Sequence, residues 1–94
     1  MKVFLMPEAD DTILEICDFI DSINTENTSD LWRFKFTSFI QSYARANVVY
    51  ELCRDESFAL AGLSCVTFNG WVVAFKIEED LLVVYQIVRG GILV

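Results

Sequence analysis

Cys65-Val66-Thr67-Phe68-Asn69-Gly70-Trp71-Val72-Val73-Ala74-Phe75-Lys76-Ile77 is the stretch whose reading decides the fold of this chain. Two runs rich in β-branched and aromatic residues flank Asn69-Gly70, the pair that most readily takes positive φ at both centres of a two-residue hairpin turn. The spacing predicts an antiparallel hairpin. Glu78-Glu79-Asp80 then forms a polar turn into Leu81-Leu82-Val83-Val84-Tyr85-Gln86-Ile87-Val88, a further strand. The last third of the chain is expected to be a three-stranded antiparallel meander.

Moving back along the chain, 47–64 has no clear period and reads as a turn of helix plus loop. From about Asp30 to Ala46, Trp32, Phe36, Phe39, Ile40 and Tyr43 recur at helical spacing. Asn24-Thr25-Glu26-Asn27-Thr28-Ser29 is a polar break that offers several N-caps. Before it, Ala9, Ile13, Ile16, Ile20 and Ile23 step by three and four, which makes one apolar stripe of an amphipathic helix. Pro7 suits the first helical position, and Glu8, Asp10 and Asp11 complement the positive end of the helix dipole. Val3-Phe4-Leu5 reads as a short strand free to join the sheet at an edge. The order β-αα-βββ predicts a single α+β domain over residues 1–94, a helical hairpin packed on one face of a small antiparallel sheet.

Composition narrows the function. The 94 residues carry 7 Lys and Arg against 14 Asp and Glu, a net charge of −7, and no histidine. The absence of His excludes imidazole general-base chemistry and His-ligated zinc. So acidic a chain lacks the broad positive field that binding to nucleic acid through its phosphates requires. The charge is uneven: net −7 over residues 1–30, +3 over 31–54 and −3 over 55–94. Cys17, Cys53 and Cys65 are odd in number and lack CxxC spacing, so neither a disulfide framework nor a thiolate zinc site is expected, and Cys17 and Cys65 read as buried free thiols. The opening Met1–Met6 run is too short for a signal-peptide core, and no apolar run approaches the roughly 18 residues of a membrane span. A cytoplasmic location and no membrane partner are expected.

Four constellations bear on chemistry. Asp11, Glu15 and Asp18 share a helix face, but a solvated face explains them, and neither a metal nor a cofactor is implied. Arg33, Lys35, Arg45 and Arg54, interleaved with Trp32, Phe34 and Phe36, form the one basic region and a candidate partner-binding surface; most of these aromatics fit the buried stripe. In the last strand Tyr85, Ile87 and Arg89 alternate onto one face, and an arginine there can fork onto a carboxylate or phosphate, or pair with Glu78, Glu79 or Asp80. Ser57, Ser64 and the cysteines have no histidine to activate them as nucleophiles.

Lys2-Val3-Phe4-Leu5-Met6-Pro7-Glu8-Ala9, followed by Ile13-Leu14-Glu15-Ile16-Cys17-Asp18-Phe19-Ile20, resembles the opening of the RelE/ParE toxin superfamily. Gly62-Leu63-Ser64-Cys65-Val66-Thr67-Phe68-Asn69-Gly70-Trp71-Val72-Val73-Ala74-Phe75-Lys76-Ile77-Glu78-Glu79-Asp80 is similar to the ParE-like run that ends in an Ile-Glu-Asp-Asp turn. Val84-Tyr85-Gln86-Ile87-Val88-Arg89-Gly90 is similar to its final strand. The resemblance implies the same β-αα-βββ domain. It also implies a ParE-like toxin of a type II toxin-antitoxin (plasmid stabilisation) module, neutralised by a cognate antitoxin and acting by binding DNA gyrase without catalysis. The alternatives are a RelE-type endoribonuclease cutting messenger RNA, with Arg89 and Tyr85 as its remaining catalytic groups, or a degenerate relative that serves protein association alone. Departures weigh against cleavage: Met6 stands for the capping Thr, Ser64 for Arg, Phe75 for Tyr and Arg89 for His. Gly91-Ile92-Leu93-Val94 replaces a charged tail and offers an apolar edge for a partner's sheet or a homodimer.

Overall fold

A computed structural model describes residues 1–23 and 28–90. Strand β1 (Lys2–Leu5) leads into α1 (Pro7–Ile23), then α2 (Thr28–Gln41), a short α3 (Glu56–Leu60), and strands β2 (Ser64–Phe68), β3 (Trp71–Glu78) and β4 (Leu81–Arg89). Among the described residues the architecture is α+β: three helices and one four-stranded sheet in the order β1-β4-β3-β2.

The hairpin lies where Asn69-Gly70 puts it. Both residues take positive φ, 51° and 81°, and Phe68 pairs with Trp71 across the turn. The sheet differs from expectation in one respect: it is mixed, because β1 runs parallel to β4, with Val3 opposite Leu82 and Leu5 opposite Val84. Met6 N–H continues this contact to the Val84 carbonyl at 2.9 Å just before α1 begins. The unbroken apolar run Leu82-Val83-Val84 is buried, as suits a strand with neighbours on both sides and cover on both faces.

Alternation along β3 sorts the sheet into two faces. Val73 and Phe75 point to the helices, where they join Ala9, Ile13, Ile16, Phe36, Ile40, Leu82, Val84 and Ile87 in the main core. Ala74 points the other way and joins Cys53 and Leu63, with Phe58, Cys65 and Tyr85 packed around them. The helical stripes are as read, except that Ile23 is 64% exposed. Trp32, Phe36 and Phe39 all contact Phe68 at centroid distances of 5.0–5.7 Å, and so anchor α2 on the hairpin. Phe34, off that stripe, is exposed.

The second helix ends at Gln41, five residues short of the Ala46 expected. Ser42 Oγ donates to the Phe39 carbonyl, the N–H groups of Tyr43 and Ala44 reach carbonyls three residues back, and Asn47 turns at φ 66°. This tightening closes the helix. The connection that follows curls round the outer edge of β2. Tyr50 packs on Phe75 on the helical side, and its carbonyl accepts from Ser64 Oγ at 3.4 Å. Three residues on, Cys53 lies on the opposite face, its N–H bonded to the Leu63 carbonyl and its sulfur bonded to Cys65. The reading of Cys65 as a free thiol is therefore corrected; Cys17 is free and buried. Spacing along the chain gave no hint of this pair, because strand β2 and the curled segment create the proximity.

The polar break falls partly, at 24–27, and the apolar tail wholly, at 91–94, outside the described residues. Among the described residues, no helix is long and apolar enough to cross a membrane.

Candidate functional site

The end of β4 carries the residues singled out for chemistry, and a bulge decides where they point. Ala74 pairs with Gln86, but Phe75 pairs with Val84, so Tyr85 is an extra residue with no partner on β3. Beyond a bulge the alternation resumes one residue out of phase. Tyr85 therefore lies on the face of Cys53 and Ala74, whereas Ile87 lies in the main core. Arg89, opposite Trp71, follows Ile87 to the helical side. The expectation that Tyr85, Ile87 and Arg89 share a face is corrected: Tyr85 and Arg89 stand on opposite faces of the sheet.

Each is held by its own surroundings. Tyr85 donates its hydroxyl to Glu78 Oε2 at 2.7 Å. That bond to a carboxylate, with some desolvation, raises the phenol above its ordinary value near 10, which makes it a poorer proton donor to a leaving group. Arg89 places its guanidinium 5.1 Å from the centroid of the Trp71 ring, a cation–π contact in place of the ion pair weighed from sequence. At an exposed position such a contact contributes about 0.5–1 kcal/mol. Gly90 keeps this end in place, its N–H donating to the Gly70 carbonyl at 2.8 Å. A Cβ on Gly90 would lie 2.9 Å from that oxygen, so only glycine lets the strand end approach the hairpin turn so closely.

Arg89 and Trp71 form one wall of a groove of about 280 Å³, and Glu15, Ile16 and Phe19 of α1 form the other. Phe19 is 64% exposed. An aromatic pair flanked by one cation and one carboxylate is suited to holding an amphipathic side chain or peptide segment. Nothing in it activates a nucleophile. Sequence reasoning missed Phe19 and Trp71 as site residues. The signal was present for Phe19, an aromatic residue out of phase with the Ala9–Ile20 stripe.

The remaining basic residues are distributed. Arg33 and Lys35 are exposed on α2, and Arg45 is exposed in the turn after it. Arg54 borders a cavity on the far side of the sheet, with Cys53, Cys65, Thr67 and Val72. Arg54 and Arg89 thus serve opposite faces. Asp11, Glu15 and Asp18 are exposed along α1, and no group of three or more potential metal ligands occurs among the described residues.

No protein-family model matches this sequence, and no curated protein matches it significantly.

Proposed function

We propose that this chain is a ParE-like toxin component of a toxin-antitoxin module, acting in the cytoplasm by binding a protein, with DNA gyrase as the target and a cognate antitoxin as its neutralising partner. The order β1-α1-α2-α3-β2-β3-β4, with α1 and α2 on one face of the sheet and the one-turn α3 on the other, is compatible with this reading, and the run of residues from Gly62 to Gly90 that resembles the family supports it. The observation that carries the binding mode is the division of Tyr85 from Arg89 by the bulge in β4. Phosphodiester cleavage needs charge stabilisation and a proton donor converging on one phosphate. Here the arginine faces a groove beside α1, while the tyrosine is tied to Glu78 behind the sheet. This arrangement favours a binder over an RNA-cutting enzyme.

Regulated expression in a bacterial host, paired with a supercoiling assay on purified gyrase, tests the proposal. Growth arrest, inhibited supercoiling and intact transcripts are expected, with Arg89→Ala or Phe19→Asp weakening inhibition at least about tenfold if the groove is the contact surface. Transcript cleavage abolished by Arg89→Ala would establish the RelE-type alternative instead. Harmless expression with no effect on gyrase would leave the association-only relative as the surviving reading.

A further inference from the structure

We propose that the Cys53–Cys65 bond is a redox-addressable clasp, opened by a small-molecule thiol that enters the cavity beside it and closed again by the reverse exchange with the corresponding small-molecule disulfide, which takes up the two electrons. The inference does not rest on the toxin reading. Three observations converge on it. Both cysteines line one cavity of about 360 Å³ together with Arg54, so the bond meets solvent through a recess that admits a small thiol. Cys65 is half-buried while Cys53 is 7% exposed, which directs attack to the Cys65 sulfur. The bond also closes a device: the segment from Tyr50 to Cys53 wraps the outer edge of β2, and Cys53 is one of three buried residues of the smaller core cluster.

The chemistry balances as ordinary thiol–disulfide exchange. A thiolate attacks Cys65 Sγ; the sulfur–sulfur bond breaks, Cys53 leaves as thiolate, and a mixed disulfide forms on Cys65. Arg54 lines the same cavity as Cys53, and a cation there favours the anionic form of the leaving sulfur. A second thiolate of the reductant attacks its own sulfur in the mixed disulfide and releases Cys65. Two electrons pass to the protein, and the reductant leaves as a disulfide. Both cysteine thiolates then take up protons according to pH.

Cys53, Leu63 and Ala74 lie outside the buried main core, and the Tyr50–Cys53 segment meets that core through the half-buried ring of Tyr50, so the helices and the sheet are expected to persist on opening. What it loosens is the guard over β2. A paired edge is protected against added strands, and an unguarded one invites them.

The test uses the unaltered chain in native buffer, oxidised or treated with reduced glutathione or dithiothreitol. Trypsin cleavage after Arg54 and Arg45 is followed on reducing gels, with thiol titration and circular dichroism in parallel. Reduction is expected to free two further thiols without denaturant and to speed cleavage roughly tenfold or more, with the dichroism spectrum retained. Cys53→Ser/Cys65→Ser should be cut at the fast rate under both conditions, while Cys17→Ser keeps the redox dependence. Three results would each overturn the proposal: equal cleavage rates in both states, a bond that reduces only after unfolding, or loss of the whole fold on reduction.

Discussion

Glu79 sits at φ 55° in the two-residue turn between β3 and β4, a conformation that glycine adopts freely and most side chains do not. For a residue with a Cβ the left-handed region costs roughly 1–2 kcal/mol, part of which glycine loses again to its own backbone entropy. Glu79→Gly is therefore expected to stabilise the fold by about 0.5–1 kcal/mol, read as a higher urea midpoint with unchanged slope. A lower midpoint would show that Glu79 does more than turn the chain. This residue also shows how far single positions can be read from sequence. Asn69-Gly70 announces its turn because both residues tolerate positive φ, whereas Glu78-Glu79-Asp80 signals polarity and hides the strained position.

At the scale of elements, α3 is one turn long and depends on its cap. Asp55 is the N-cap: its carboxylate accepts from the Phe58 N–H at 3.0 Å and from the Ser57 hydroxyl. Led by the Ser57 bond, these contacts hold the carboxyl below its ordinary value of 3.8. The folded state thus binds the proton less readily than the unfolded chain, so the cap's contribution is complete above pH 3.8 and fades as pH falls through the lowered folded value. Asp55→Ala should accordingly melt below wild type at neutral pH, and the gap should narrow on acidification. A gap that stays constant to low pH would mean the charged cap is not its source. The periodicity of α1 and α2 is plain in the sequence, since each buries one stripe against a sheet. The bulge at Tyr85 is not, because Leu81–Val88 is apolar nearly throughout and an unbroken run carries no phase for an inserted residue to disturb. That one residue decides that Tyr85 and Arg89 occupy opposite faces of the sheet.

Across the whole molecule, Phe75 joins parts that are distant in sequence. It is 1% exposed, and its ring meets Tyr43 after α2 and Tyr50 in the segment that wraps β2. Phe75→Ala is expected to remove about 3–5 kcal/mol, a large share of the roughly 5–15 kcal/mol that holds a small domain together. Equilibrium urea denaturation would show it, and a loss under about 1 kcal/mol would mean the surrounding rings collapse into the space. The α+β class, the helical stripes and the final hairpins are all readable from residue patterns, because each follows from neighbours along the chain. The parallel placement of β1 and the Cys53–Cys65 pair are contacts between remote segments, and no local pattern encodes them. The β1–β4 pairing has a kinetic consequence. Lys2–Leu5 is made before every other described element, yet its neighbour in the sheet, β4, is the last of them to be synthesised. With β1 waiting for its partner, and the stripes of α1 and α2 waiting for a surface to cover them, the sheet cannot close and the core cannot form until β4 has been made.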